Sequence, residues 1–106
     1  MKKSGLFGGS FNPVHRGHVQ LVTTIRETFS LSSVIVVPSA APPHKDARHL
    51  APAEDRLAMT RQAFSSEPGC TVSDIEIKRR GRSYTIDTVT DLMATLPETT
   101  RLFLIM

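Results

Sequence analysis

Four consecutive β-branched residues, Val34-Ile35-Val36-Val37, carry no polar alternation at all. A strand made this way has no face to give to water, so it must be covered on both sides, which is the situation of a strand inside a parallel sheet flanked by helices. The run Leu102-Phe103-Leu104-Ile105-Met106 reads in the same way, as another buried strand. The chain has 106 residues, enough for one hydrophobic core, and residues 1–106 are expected to form a single α/β domain.

The segments between these strands alternate in period. Leu6 and Phe7 form a short apolar strand that runs into the turn formers Gly8-Gly9-Ser10-Phe11-Asn12-Pro13. From Gly17 the spacing becomes helical, with His18, Leu21, Val22, Ile25 and Phe29 on one face. Pro38 ends the second strand, and Ser39 to Ala51 is an irregular loop. Pro52, Glu54 and Asp55 mark a helix start, followed by Leu57 and Phe64 on its apolar face. Val72, Ile75 and Ile77 suggest a third extended segment. Ser83-Tyr84-Thr85 leads into a helix carrying Ile86, Val89, Leu92, Met93 and Leu96, with Asp87 in its first turn. Strand and helix in alternation predict right-handed βαβ units and an open parallel sheet with helices on both faces. Because the fourth strand ends without a following loop, we expect a chain truncated after that strand.

Composition narrows the classes of function. No stretch reaches the roughly 18 apolar residues of a membrane span, and the Gly8-Gly9 pair interrupts any signal-peptide core, so a cytoplasmic protein with no membrane partner is expected. Cys70 is the single cysteine, which excludes an internal disulfide. The net charge is +3, with basic residues gathered at Lys78-Arg79-Arg80-Gly81-Arg82 and at His44-Lys45. No base-stacking aromatics are interleaved with them, so no nucleic-acid partner is expected.

Chemistry concentrates in Gly8-Gly9-Ser10-Phe11-Asn12-Pro13-Val14-His15-Arg16-Gly17-His18, between the first strand and first helix. Glycines allow close approach of a ligand to the backbone, and a helix start offers unpaired N–H groups with a partial positive charge, which together suit phosphate. If the helix begins near Arg16, His15 and His18 both reach the space above its amino end. Imidazole N–H groups there would stabilise the charge that moves during phosphoryl or nucleotidyl transfer. Gly17 is expected to leave room for a nucleotide against the backbone. Two histidines three apart are also a zinc-ligand spacing, with His44 or His49 as a third ligand, although a glycine-rich loop has no special value for structural zinc. The loop is neither a Walker A motif nor a dinucleotide fingerprint.

At these residues the chain resembles the HxGH nucleotidyltransferase superfamily, through His15-Arg16-Gly17-His18 behind Gly8 to Pro13. Two further stretches, Pro38-Ser39-Ala40-Ala41-Pro42-Pro43-His44-Lys45 and Arg82-Ser83-Tyr84-Thr85-Ile86-Asp87-Thr88, resemble the bacterial nicotinate mononucleotide adenylyltransferases, in matching order and spacing. The resemblance covers the whole chain and implies a Rossmann-like sheet, of which this is the amino-terminal part.

It further implies ATP and nicotinate mononucleotide as substrates, with Mg2+ accompanying ATP and no protein-held metal. Gly8, Gly9, Ser10, Phe11, His15, Gly17, His18 and Lys45 would line the ATP phosphates, His15 and His18 being catalytic. His44, Lys45, Tyr84 and Thr85 would serve the nicotinate nucleotide, although Thr85 is equally placed for a helix cap. Homo-oligomerisation stays open. Asn12 stands where many relatives have aspartate, and Ala40 where some have an amide. The family's adenine-binding residues and phosphate-holding arginine motif belong to the other half. Two alternatives remain: another HxGH enzyme, such as a phosphopantetheine adenylyltransferase or a cytidylyltransferase, and a nucleotide-binding fragment without turnover.

Overall fold

The computed structural model describes residues 2–40, 50–79 and 84–105. Within them the chain runs β1 (Lys2–Gly9), α1 (Arg16–Thr28), β2 (Ser33–Pro38), α2 (Ala53–Phe64), β3 (Cys70–Val72), α3 (Ile75–Arg79), α4 (Thr85–Thr95) and β4 (Thr100–Ile105). The strands form one sheet in the order β3-β2-β1-β4, and every pairing is parallel. β1 is central, with Phe7 opposite Val36 on one side and Ile105 on the other.

Strand alternation sends the apolar run to two cores, as expected of a strand hidden on both faces. Val34 and Val36 join Phe7, Phe11, Val22, Leu31 and Phe64 in one cluster, under α1 and α2. Leu6 and Val37 join Leu92 in the other, with Ile35, Ile75, Val89 and Leu102 packed against it, under α4. The chain moves outward through β1, β2 and β3 with helices on one face, then crosses back to β4 over the other face. Strand order therefore reverses between β1 and β4, and the cleft for a ligand in such a sheet lies at the carboxyl ends of those two strands.

Helix α1 closes with a Schellman turn. Leu31 N–H donates to Arg26 O at 2.9 Å and Ser30 N–H to Glu27 O at 3.3 Å. The residue at the left-handed position is Ser30, with φ of 53°, where glycine is the usual occupant. Leu31 is buried directly after it, so the turn is held by packing as well as by its two hydrogen bonds.

Three expectations need correction. The extended segment through Val72, Ile75 and Ile77 is instead a short strand followed by a helix, β3 and α3. Ser73 N–H still donates to Val36 O at 2.8 Å, but Ser73 Oγ then accepts Ile75 N–H at 3.3 Å and turns the chain into α3. Ser73-Asp74 was a helix-start signal that the alternating apolar residues masked. Next, β4 is an edge strand among the described residues, with Phe103 and Leu104 42% and 47% exposed. Finally, only part of the predicted α1 face is covered: Val22 is fully buried and Ile25 partly, while Leu21 and Phe29 stay exposed.

The basic run is partly consumed by packing. Arg79 Nη2 meets Asp91 Oδ2 at 2.6 Å and its Nη1 donates to Thr88 Oγ1 at 3.2 Å. Thr88 Oγ1 in turn donates to the buried Glu76 Oε2 at 2.5 Å, so a polar seam joins α3 to α4. Lys78 lies 3.5 Å from Asp74.

A histidine-capped helix at the switch point

The loop leaving β1 delivers the chain into α1 through His15, which is the helix N-cap, with extended backbone at φ −143° and ψ 175°. Its imidazole Nδ1 accepts Gly17 N–H at 3.1 Å, and its own N–H donates to His18 Nδ1 at 3.0 Å. The pair is thus a capping box built of imidazoles, in which two orphan donors at a helix start are satisfied reciprocally. The spacing of three is what that geometry demands, since the N-cap and the third helical residue face each other.

Both rings lie together over the helix end, their centroids 3.9 Å apart and their planes 30° from parallel. With each Nδ1 accepting a backbone N–H, each neutral ring carries its proton on Nε2. The site therefore holds two neighbouring Nε2–H donors at the positive end of a helix. Burial, and secondarily the charge of His15, pull the His18 pKa below the ordinary histidine value, favouring its neutral form.

Phe11 supports this pair from below. Its φ is 48°, an uncommon conformation for a side-chain-bearing residue, and that turn drops its ring into the core. There it meets His18 edge-on at 5.1 Å and Phe7 at 5.5 Å. Gly17 makes room within the protein itself: a Cβ there would lie 2.8 Å from His15 Cε1 and 2.9 Å from its Nδ1. The room it leaves is filled by the His15 imidazole itself. Among the described residues, Gly8, exposed near the end of β1, has only Val37 O within 4 Å of a Cβ position, at 3.8 Å.

Gly8 and Gly9 are the last residues of β1, and Ser10 and Phe11 open the loop beyond it. Tyr84 is the N-cap of α4 and Thr85 its first residue; both are exposed, and Tyr84 makes no side-chain cap. Thr85 is thus not the capping residue. Because α4 runs antiparallel to the strands, its start lies at the same sheet edge as His15 and His18, in the opposite helix layer. His44 and Lys45 lie outside the described residues.

Two residues at this edge escaped the sequence reading. Arg56 of α2 is 1% exposed, and its guanidinium donates to Ala51 O at 2.8 Å, Ser10 O at 2.8 Å, Ser39 O at 2.6 Å and Ala40 O at 3.0 Å. Its spacing of four and eight from the buried Thr60 and Phe64 was the available signal. Ser39 Oγ is buried without a hydrogen-bond partner among the described residues, at the point where β2 ends. Asn12 Oδ1 accepts Ala51 N–H at 3.0 Å and so ties the loop after β1 to the entry of α2. Among the described residues no group of three or more histidine, cysteine or acidic side chains is placed to hold a metal. An apolar hollow lined by Ile25, Phe29, Leu31, Phe103 and Leu104 sits between the second half of α1 and β4, away from the histidine pair.

A parallel sheet covered on both faces, with a strand-to-helix loop at its switch point, defines a Rossmann-like α/β fold. The chain belongs to the cytidylyltransferase-like family, whose model matches residues 6–104. A Dehalococcoides mccartyi protein described as "Probable nicotinate-nucleotide adenylyltransferase" is 45% identical over 101 residues, covering 95% of this chain and 50% of the relative. A Shouchella clausii protein of the same description is 43% identical over 105 residues, covering 99% and 55%. This chain thus spans about half the length of the curated relatives it matches. In fold it is similar to Plasmodium falciparum nicotinic acid mononucleotide adenylyltransferase complexed with NaAD, with a TM-score of 0.79 at 18% identity, covering 98% of this chain and 51% of the other.

Proposed function

We propose that this chain supplies the nucleotide-binding side of a nicotinate mononucleotide adenylyltransferase, a cytoplasmic enzyme of NAD biosynthesis. The observation that carries the proposal is the stacked pair His15 and His18, each with Nδ1 engaged by a main-chain N–H and Nε2 left to donate. Sequence identity to adenylyltransferases across nearly the whole chain supports the choice of reaction within the family. Among the described residues no helix is long and apolar enough to cross a membrane.

In this reaction a phosphate oxygen of nicotinate mononucleotide attacks the α-phosphorus of ATP. A new P–O bond forms, the bond to the β-phosphate bridging oxygen breaks, and pyrophosphate leaves with that electron pair. His15 and His18 hold the phosphates through Nε2–H and offset the charge that accumulates as pyrophosphate departs. The positive dipole end of α1 and the loop amides beside Gly8 to Phe11 keep the triphosphate in line for attack. A magnesium ion carried by the triphosphate would lean on phosphate oxygens and its own waters rather than on a protein cage. That ion would neutralise phosphate charge. Tyr84 and Thr85, with His44 and Lys45, belong in this proposal to the nicotinate nucleotide.

Isothermal titration with MgATP and a pyrophosphate-release assay with nicotinate mononucleotide test the reading together. His18→Ala is expected to lower turnover by about 100-fold or more, the usual cost of losing one preorganised donor. Its unfolding midpoint should fall by only about 5 °C, the effect of one lost cap. Unchanged turnover in a folded His18→Ala protein would refute the assigned role. ATP binding without pyrophosphate release would assign these residues nucleotide binding alone.

A further inference from the structure

We propose that Arg56 is a positioning residue that orients main-chain anion donors on two loops of the nucleotide site; this rests on the nucleotide-site reading above. Three segments separated in sequence meet at its guanidinium: the loop after β1 through Ser10, the exit of β2 through Ser39 and Ala40, and the entry to α2 through Ala51. All four of these acceptors are main-chain carbonyls. Burying a guanidinium is costly, and its pKa is lowered by desolvation. An apolar side chain would avoid that cost but leave the four carbonyls without their donor, so the guanidinium is what holds these carbonyls in one arrangement.

That geometry has a direction. In a trans peptide the N–H of the next residue points opposite to the carbonyl. The cis peptide among the described residues is Asn12–Pro13, so the Ser10–Phe11 and Ser39–Ala40 bonds are trans. Pinning Ser10 O and Ser39 O onto Arg56 therefore turns the N–H groups of Phe11 and Ala40 away from it, outward at the edge where His15 and His18 stand. The seam is reinforced by Ser39 N–H donating to Gly9 O at 2.9 Å and by Asn12 bonding Ala51 N–H. Lysine cannot replace this arrangement, because the four carbonyls are shared among three separate nitrogens in a planar fork, while an ammonium is one point.

The test compares the full chain with Arg56→Lys, at a temperature where circular dichroism shows both folded. Amide hydrogen exchange at Ser39 and Ala51 should accelerate at least about 10-fold while exchange of Phe7 and Val36, inside the sheet, is unchanged. MgATP affinity measured by titration should fall at least about 10-fold. Parental exchange or parental affinity in folded Arg56→Lys overturns the role. A parent protein that does not bind ATP refutes the nucleotide reading, and the role drawn from it, while the exchange arm still measures the clamp separately. If Arg56→Lys does not fold, Arg56→Met in sucrose, which favours the compact state, is measured identically and must show the same losses. Failure of both variants to fold overturns the positioning claim in favour of a purely structural one.

Discussion

Replacing Gly17 by alanine should separate function from stability. The new Cβ would stand 2.8 Å from His15 Cε1 and 2.9 Å from Nδ1, closer than real Cβ contacts allow. The imidazole, an exposed side chain, gives way more easily than the helix backbone, so His15 swings off and Gly17 N–H loses its acceptor. Losing a cap costs about 0.5–2 kcal/mol. Alanine is worth up to about 1 kcal/mol over glycine in a helix, and less in its first turn. These terms nearly cancel, so the unfolding midpoint should move by less than about 5 °C. Binding has no such compensation, because one Nε2–H donor to a charged phosphate leaves its position, and hydrogen bonds to charged groups are worth about 1.5–3 kcal/mol. Affinity for MgATP should fall about 10- to 150-fold. Titration calorimetry and thermal unfolding on the same preparation decide it. A Gly17→Ala protein with parental affinity would show that the His15 ring is not held where we place it, or contributes nothing there.

Two other predictions concern stability. His18 has its pKa lowered by burial and by His15, so between that lowered value and the ordinary value of about 6.5 the unfolded chain binds more protons than the folded one. The contribution of His18 is thus fully present above about pH 6.5 and is lost as pH falls through the lowered folded value. Urea midpoints measured from pH 8 to 5 should decline on the acid side more steeply in the parent than in His18→Gln, and superimposable profiles would exclude this source. Ser30→Gly should raise stability by up to about 1 kcal/mol, since it removes a left-handed penalty of about 1–2 kcal/mol and adds unfolded-state entropy worth about 0.5–1 kcal/mol. A lowered midpoint in chemical denaturation would count against that balance.

Local signals carried much of the fold and the histidine pair. Val34 to Val37 required cover on both faces, and the two clusters that receive Val36 and Val37 are that cover. The histidine spacing was readable because an N-cap and its third helical residue are neighbours along the chain, so no distant contact was needed to bring those rings together. Where two periods overlap, as at Ile75 and Ile77, local pattern could not choose between strand and helix, and the Ser73 hydroxyl decided it.

By itself, then, the sequence determined the alternation of elements, the parallel sheet and the imidazole pair at the start of α1. Only the tertiary structure decided that β4 pairs with β1 on the side away from β2, that Gly17 makes space for His15, and that Arg56 joins Ser10, Ser39, Ala40 and Ala51. The reason is range: periodicity and capping act within a few residues. The spacing of Arg56 from Thr60 and Phe64 marks its buried face on α2 but not the carbonyls it reaches, one of them 46 residues away, because every residue possesses a carbonyl.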